Sequence, residues 1–274
     1  MRKEYSNGVY EGDIVIGIRD GWGVFTYSNG NVYEGPWKND VRHGKGILKY
    51  PKGGSYEGDF VTGAMTGKGK YTYASGSYYV GDFVRGKFCG KGFYQGNGYT
   101  YEGDFLDDKR SGKGVYKSDS GFEYRGDFVD GNFEGRGVYK GDGFIYEGEW
   151  LADKKHGLGL IKWDDGSTYD GQWIEGERTG FGHYSWSDGT KYKGEFLNGS
   201  RHGRGEQTYI NNDFYKGSWE DNHWCGGGIF ETADGIRYKG IWTEYRTGTE
   251  VIKIEKGKRP VMGKMTEGYF EEIK

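Results

Sequence analysis

Of the 274 residues, 34% are apolar and 18% are aromatic, so rings make up about half of the apolar set and a thick aliphatic core is excluded. The 25 tyrosines suit a half-wet surface and exclude a disordered chain, which would be poor in rings. With 38 basic against 41 acidic residues the net charge is −3, which gives no overall bias towards nucleic acid.

The chain opens with a fragment. Tyr5-Ser6-Asn7-Gly8 matches Tyr27-Ser28-Asn29-Gly30, so residues 1–9 read as the second half of a repeat, serving as an N-terminal cap. Residues 10–242 then carry ten to eleven tandem copies of Tyr-x-Gly-x-aromatic. The tyrosines are Tyr10, Tyr33, Tyr56, Tyr79, Tyr101, Tyr124, Tyr146, Tyr169, Tyr192, Tyr215 and Tyr238, spaced by 23 residues except for two steps of 22. Eleven residues after each of the first ten tyrosines comes Gly-x-Gly, from Gly21 and Gly23 to Gly226 and Gly228.

Both segments have period two and read as strands. Tyr33, Gly35 and Trp37 share a face, as do Gly44, Gly46, Leu48 and Tyr50. A glycine between aromatics leaves a slot into which a neighbouring ring can nest, offsetting glycine's weakness in a strand. The turns agree in register. A three-residue loop, Ser187-Asp188-Gly189, pairs Trp186 with Thr190 and Tyr184 with Tyr192. The two-residue loops Asn97-Gly98 and Asp142-Gly143 pair Tyr94 with Tyr101 and Tyr139 with Tyr146. The predicted fold is all-β: an elongated, twisted single-layer antiparallel sheet of tandem hairpins. Ile14 and Pro36 break the pattern, and Pro36 predicts a local interruption of the ladder. Residues 243–274 are a degenerate repeat, with the second glycine lost at Glu250, and are expected to cover the last sheet edge.

Chemistry-bearing motifs dissolve into the repeat. Gly81 to Gly86-Lys87 mimics a phosphate-binding loop, but Phe88 follows and no helix is indicated. His43, His156, His202, Cys89 and Cys225 occupy one repeat slot, too far apart to share a metal. Opposite the rings, Glu34, Glu57, Asp59, Glu102 and Asp104 alternate with Lys45, Lys68, Lys91, Lys113 and Arg136, which reads as a solvated, charge-compensated face. No acid–base or nucleophile set stands apart, so no enzyme, cofactor or metal is expected. Two cysteines are too few for a disulfide framework and the N-terminus has no apolar run, so a reducing, cytoplasmic setting is expected.

The quoted pattern, clearest in YEGEWLADKKHGLGLIKWDDGSTYDGQW and YKGEFLNGSRHGRG, resembles the MORN repeat family over nearly the whole chain. The resemblance implies an extended twisted antiparallel sheet. It also implies a scaffold at cytoskeletal, ciliary or flagellar assemblies or membrane contacts, with end-to-end or antiparallel homodimers.

Two surfaces are candidates for a partner. Trp22, Phe181 and Trp224 fall outside the regular ring slots, where a ring is better explained by binding than by packing. Trp186, Trp219 and Trp242 fill regular ring slots that read as packing, yet join them as candidates, because the C-terminal third is rich in tryptophan and its acidic row changes sign to Lys193, Lys216 and Lys239. The favoured reading is a non-catalytic scaffold that receives a protein partner on its tyrosine-lined face. The alternative is a peripheral membrane module that meets acidic phospholipid or an acidic partner through a basic loop edge of Arg42, Arg110, Lys155, Arg178 and Arg201.

Overall fold

The structure, a computed structural model, describes residues 1–273. Every regular element among them is a strand, and the 26 strands form one open antiparallel sheet in which neighbours in sequence pair. Two compact units divide the chain, one of residues 1–134 and one from Gly135 onward.

Within the first unit the hairpin of Ser55–Val61 and Ala64–Thr72 shows the repeat. Tyr56 lies opposite Tyr71 and Gly58 opposite Gly69; the next strand, Tyr78–Val84, sets Tyr79 against Tyr71 and Gly81 against Gly69. Rings and glycines therefore run in rows across the strands. Between Gly58 and Phe60 the register shifts: Asp59 alone stands opposite a bulge of Thr66, Gly67 and Lys68, in which Gly67 turns left-handed at φ +97°. Only glycine adopts that conformation cheaply, which accounts for the first glycine of Gly-x-Gly. The second unit repeats the scheme: Tyr169 faces Tyr184, Gly171 faces Gly182, and Gly180 and Phe181 bulge opposite Gln172.

The turns match the expected register. Tyr184 pairs with Tyr192, Tyr94 with Tyr101 and Tyr139 with Tyr146, and the Trp186 N–H donates to the Thr190 carbonyl at 2.9 Å. The connections within each repeat are also tight. Asn198-Gly199 takes φ of +48° and +81°, the hairpin turn whose twist matches that of the strands. Pro36 interrupts the ladder as predicted: its partner strand is split into Val41–Arg42 and Gly44–Lys49. Residues 243–273 cover the edge of Arg237–Glu244 by continuing the sheet. They add Thr247–Ile254, Val261–Thr266 and Tyr269–Glu272 as further strands, each paired with its predecessor. Glu250 bulges out at φ +51°, and the buried Val251 faces Gly240 in the lost glycine's place.

Candidate functional site

The centre of the ring face is a row of closed compartments, not an open binding surface. Tyr10, Tyr33, Tyr56, Tyr79, Tyr101, Tyr124, Tyr146, Tyr169 and Tyr215 are fully buried and Tyr192 nearly so. Each ring leans along its own strand over the bare glycine pair. A methyl built on Gly182 would lie 2.5 Å from Cε2 and 2.6 Å from Oη of Tyr169. The hydroxyl then reaches the carbonyl three residues on. Tyr56 donates to Asp59 at 2.9 Å, Tyr169 to Gln172 at 3.0 Å and Tyr215 to Ser218 at 3.1 Å. Those bonds satisfy a polar group that burial would otherwise penalise. Edge-on neighbours close the sides: Trp173 at 5.2 Å and Phe196 at 5.0 Å around Tyr169. Burial pushes the phenol of Tyr33 and that of Tyr169 up to about 12.

The residue nine after each tyrosine lies across its ring as a lid. The basic loop edge proves to be these lids. Arg42 sits 5.1 Å from the Phe60 centroid and 5.7 Å from that of Tyr33, and its guanidinium donates to the Gly63 carbonyl at 2.6 Å. Arg110 covers Tyr101, Tyr116 and Phe128 and donates to the Gly131 carbonyl. Arg178 covers Tyr184 and Phe196 and donates to the Gly199 carbonyl at 2.8 Å. Lys155 lies 4.7 Å from Trp173 and Arg201 4.5 Å from Trp219, and desolvation lowers the pKa of both cations. An edge reading from sequence counts these as free charges. The structure turns them inward, because a cation with a long apolar stem covers a ring face better than it can serve a distant headgroup.

Trp224 is corrected by the same geometry. It holds the lid slot and stacks on Tyr215 at 3.9 Å and 7°, as Phe88 stacks on Tyr79 and Phe133 on Tyr124, both at 3.8 Å. Trp219 and Trp242 are buried edge-on against Tyr215. These three tryptophans are packing residues, closed to a partner. Trp186 is half-buried, beside Tyr184 at 4.4 Å and under Arg201 at 5.5 Å. Trp22 and Phe181 are 52% and 48% exposed, as off-slot rings should be, but they stand on the face opposite the tyrosines.

What remains open on the ring face is its flank beside the loops. In the first unit Tyr50, Tyr71, Tyr73, Tyr94, Tyr99, Tyr116 and Phe122 follow one another at centroid distances of 5.9, 4.8, 6.4, 5.1, 4.8 and 5.5 Å. Tyr73 is 37% exposed and most of the others are half-buried. A recess of about 330 Å³ opens there between Tyr73, Tyr99 and Arg110. In the second unit Trp163, Tyr184 and Trp186 continue the same motif at 5.5 and 4.4 Å.

The opposite face is charged, as expected, yet ordered. Bulge acids accept the N–H of the middle residue of Gly-x-Gly: Asp59 from Lys68 at 3.0 Å, Glu195 from Arg204 at 2.9 Å. Lysines pair with the next bulge acid, Lys45 with Asp59 at 3.3 Å and Lys91 with Asp104 at 2.7 Å. Each unit also has a groove here, floored by the glycine row. That of the first unit is lined by Trp22, Lys45, Val80 and Phe93 among others; that of the second by Phe181, Lys193, Ile229 and Lys239. Sequence reasoning missed both grooves. Their signal is the row of facing glycines itself, which leaves no side chain on either side of the sheet. Among the described residues no group of three His, Cys, Asp or Glu side chains converges as a metal site would require.

A scan against known families matches the MORN repeat ten times in succession, over residues 10–32, 33–55, 56–78, 79–99, 101–122, 124–143, 146–168, 169–191, 192–214 and 215–237. A search of curated proteins finds no match. Among solved structures, the TCP10 domain of Danio rerio CPAP is 14% identical over 73% of this chain and 94% of that chain, with a TM-score of 0.39. The TCP domain of Drosophila melanogaster SAS-4, solved with a proline-rich motif of Ana2, is 11% identical over 55% of this chain and 83% of that one, with a TM-score of 0.36. Virginiamycin B lyase from Staphylococcus aureus is 10% identical over 89% and 84%, with a TM-score of 0.15. Overlaps of this extent carry no argument for partner or chemistry.

Proposed function

The chain belongs to the MORN repeat family, and from that premise we propose that it is a non-catalytic scaffold that docks a protein partner on the loop-side flank of its ring face. One observation carries the reading. The flank from Tyr50 to Phe122 is a continuous line of rings, open to solvent in part except at the buried Tyr94, whereas the tyrosine row beside it is closed by lids. Tyrosines of this kind offer a large, stiff contact area at small entropic cost, with a hydroxyl left to bond a partner. The family resemblance supports a cytoplasmic placement in a cytoskeletal or ciliary assembly, and a homodimer is one form the partner takes under this reading.

The alternative membrane reading has no comparable support, since its five cations are engaged with rings and carbonyls. Photo-crosslinking in cells tests the proposal. A crosslinking residue in place of Tyr73 or Tyr99 should trap a discrete protein, and one at Glu57 on the far face should not. Equal yields from both faces, or recovery of lipid alone from Tyr73 and Tyr99, would refute it.

A further inference from the structure

The groove of the second unit differs from that of the first in charge and in width. One wall runs across the strands as Lys193, Glu206, Lys216, Ile229, Lys239 and Ile252, each opposite the next. The other wall contains Phe181, Arg204, Ile241 and Glu250. The floor is Gly194, Gly205, Gly217, Gly228 and Gly240, and the space enclosed is about 670 Å³. The walls stand two residues apart along a strand, so roughly 7 Å, which admits an extended chain and excludes a helix.

Charge decides the occupant. Lys216 is neutralised by Glu206 at 2.7 Å. That leaves Lys193, Arg204 and Lys239 without an ion-pair partner among the described residues, against the carboxylates of Glu250 and of Glu195, which stands opposite Phe181 and is held by the Arg204 N–H. The first unit's groove is the reverse. Lys45, Lys68 and Lys91 are all paired with bulge acids, and Glu34, Glu57 and Glu102 outnumber the remaining Lys70. The second groove also lacks one wall side chain. The middle residue of Gly-x-Gly is Trp22, Lys45, Leu158, Phe181 or Arg204 in other repeats, but Gly227 here. Nothing lies within 4 Å of where its Cβ would be, and its backbone is not left-handed.

We propose that the groove between Phe181 and Ile252 binds an extended acidic segment of a partner protein, with carboxylates on Lys193, Arg204 and Lys239 and apolar side chains between Ile229, Ile241 and Ile252. Lys216-Ile229-Lys239-Ile252 alternates charge and aliphatic surface at each strand. Lys239 stands three strands from Arg204 and four from Lys193, about 14 Å and about 19 Å, the reach of about four and about six residues of extended chain. The whole groove crosses seven strands, about 29 Å or about nine extended residues. This site stands on the face opposite the buried tyrosines of its own unit and is independent of the function proposed above.

Selection of a random peptide library, each member about twelve residues long to span the groove, on the full chain tests it. Gly227→Phe serves as counter-selector, because phenylalanine already occupies that slot at Phe181 and the variant should melt as the parent does. Enriched peptides should carry Asp or Glu about four to six residues apart and be lost on Gly227→Phe. The double variant Lys193→Glu/Lys239→Glu should weaken the best of them at least about tenfold. Enrichment without an acidic bias, or peptides retained by both variants, overturns the proposal. So does displacement of the peptide by phosphatidylserine vesicles that bind Gly227→Phe equally well, which would mean surface charge alone.

Discussion

Replacing Gly182 by alanine puts a methyl where the Tyr169 ring already lies, 2.5 Å from Cε2 and 2.7 Å from Cζ. The ring cannot yield, since Trp173 and Phe196 hold its sides and Arg178 its face. If it stays, overpacking costs about 1–3 kcal/mol. If it leaves, the chain forfeits about 1.5–3 kcal/mol of ring burial and about 1 kcal/mol for the bond to the Gln172 carbonyl. The two routes together bracket a loss of about 1–4 kcal/mol. Gly227→Ala is the same chemical edit in a strand of the same sheet, but meets nothing and needs no left-handed backbone. It should stabilise by about 0.4–1 kcal/mol by restricting the unfolded chain. Urea titration followed by circular dichroism gives the two values. Hydrogen exchange over Thr168–Ile174 and Glu177–Ser185 shows whether the loss is local, as a repeat array permits. A Gly182→Ala variant within about 0.5 kcal/mol of Gly227→Ala would refute the nesting argument.

The lids should be exchangeable by shape and not by charge. Arg178→Ala should lose about 1–2 kcal/mol in thermal melts, whereas Arg178→Phe should hold most of it, because Phe88 and Phe133 fill the equivalent slot. The bulge acids should tolerate loss of charge but not of the acceptor. Gln172 already accepts the Phe181 N–H at 3.1 Å, so Asp82→Asn should cost under about 0.5 kcal/mol and Asp82→Leu about 1 kcal/mol or more in urea titrations. Stability should fall in alkali. Tyr33 and Tyr169 ionise near 12 when folded and near 10 when unfolded, so the unfolded chain sheds protons first and folding weakens as pH rises from about 10 to 12. A melting temperature unchanged between pH 9 and pH 11, at about equal ionic strength, would contradict burial of the row.

The repeat, its strand pairs and its turns were legible because they rest on local signals: period-two alternation, glycine spacing and Asn-Gly loops. The facing of Tyr184 and Tyr192 follows from loop length alone. The split at Pro36 likewise needs only a missing donor. The lids were not legible, because Arg42, Phe88, Lys155 and Trp224 look unlike one another in sequence. What they share is a flat or long apolar body that spans a ring, a property that appears only once the ring is placed. Trp22, Phe181 and Trp224 are all off the regular ring slots, yet only Trp224 is buried, because its slot lies over the Tyr215 ring, while Trp219 and Trp242 fill regular ring slots and are buried there. The grooves escaped notice because their floor is made of residues that contribute no side chain.

The central claim is that each tyrosine occupies the volume its facing glycines leave empty. A double-mutant cycle between Tyr169→Leu and Gly182→Ala measures it. Leucine lacks the three ring atoms that the new methyl would strike. The cost of Gly182→Ala should therefore shrink from about 1–4 kcal/mol in the parent to under about 0.5 kcal/mol beside the shorter side chain of the Tyr169→Leu background. Equal costs in both backgrounds would show that ring and glycine do not share that space.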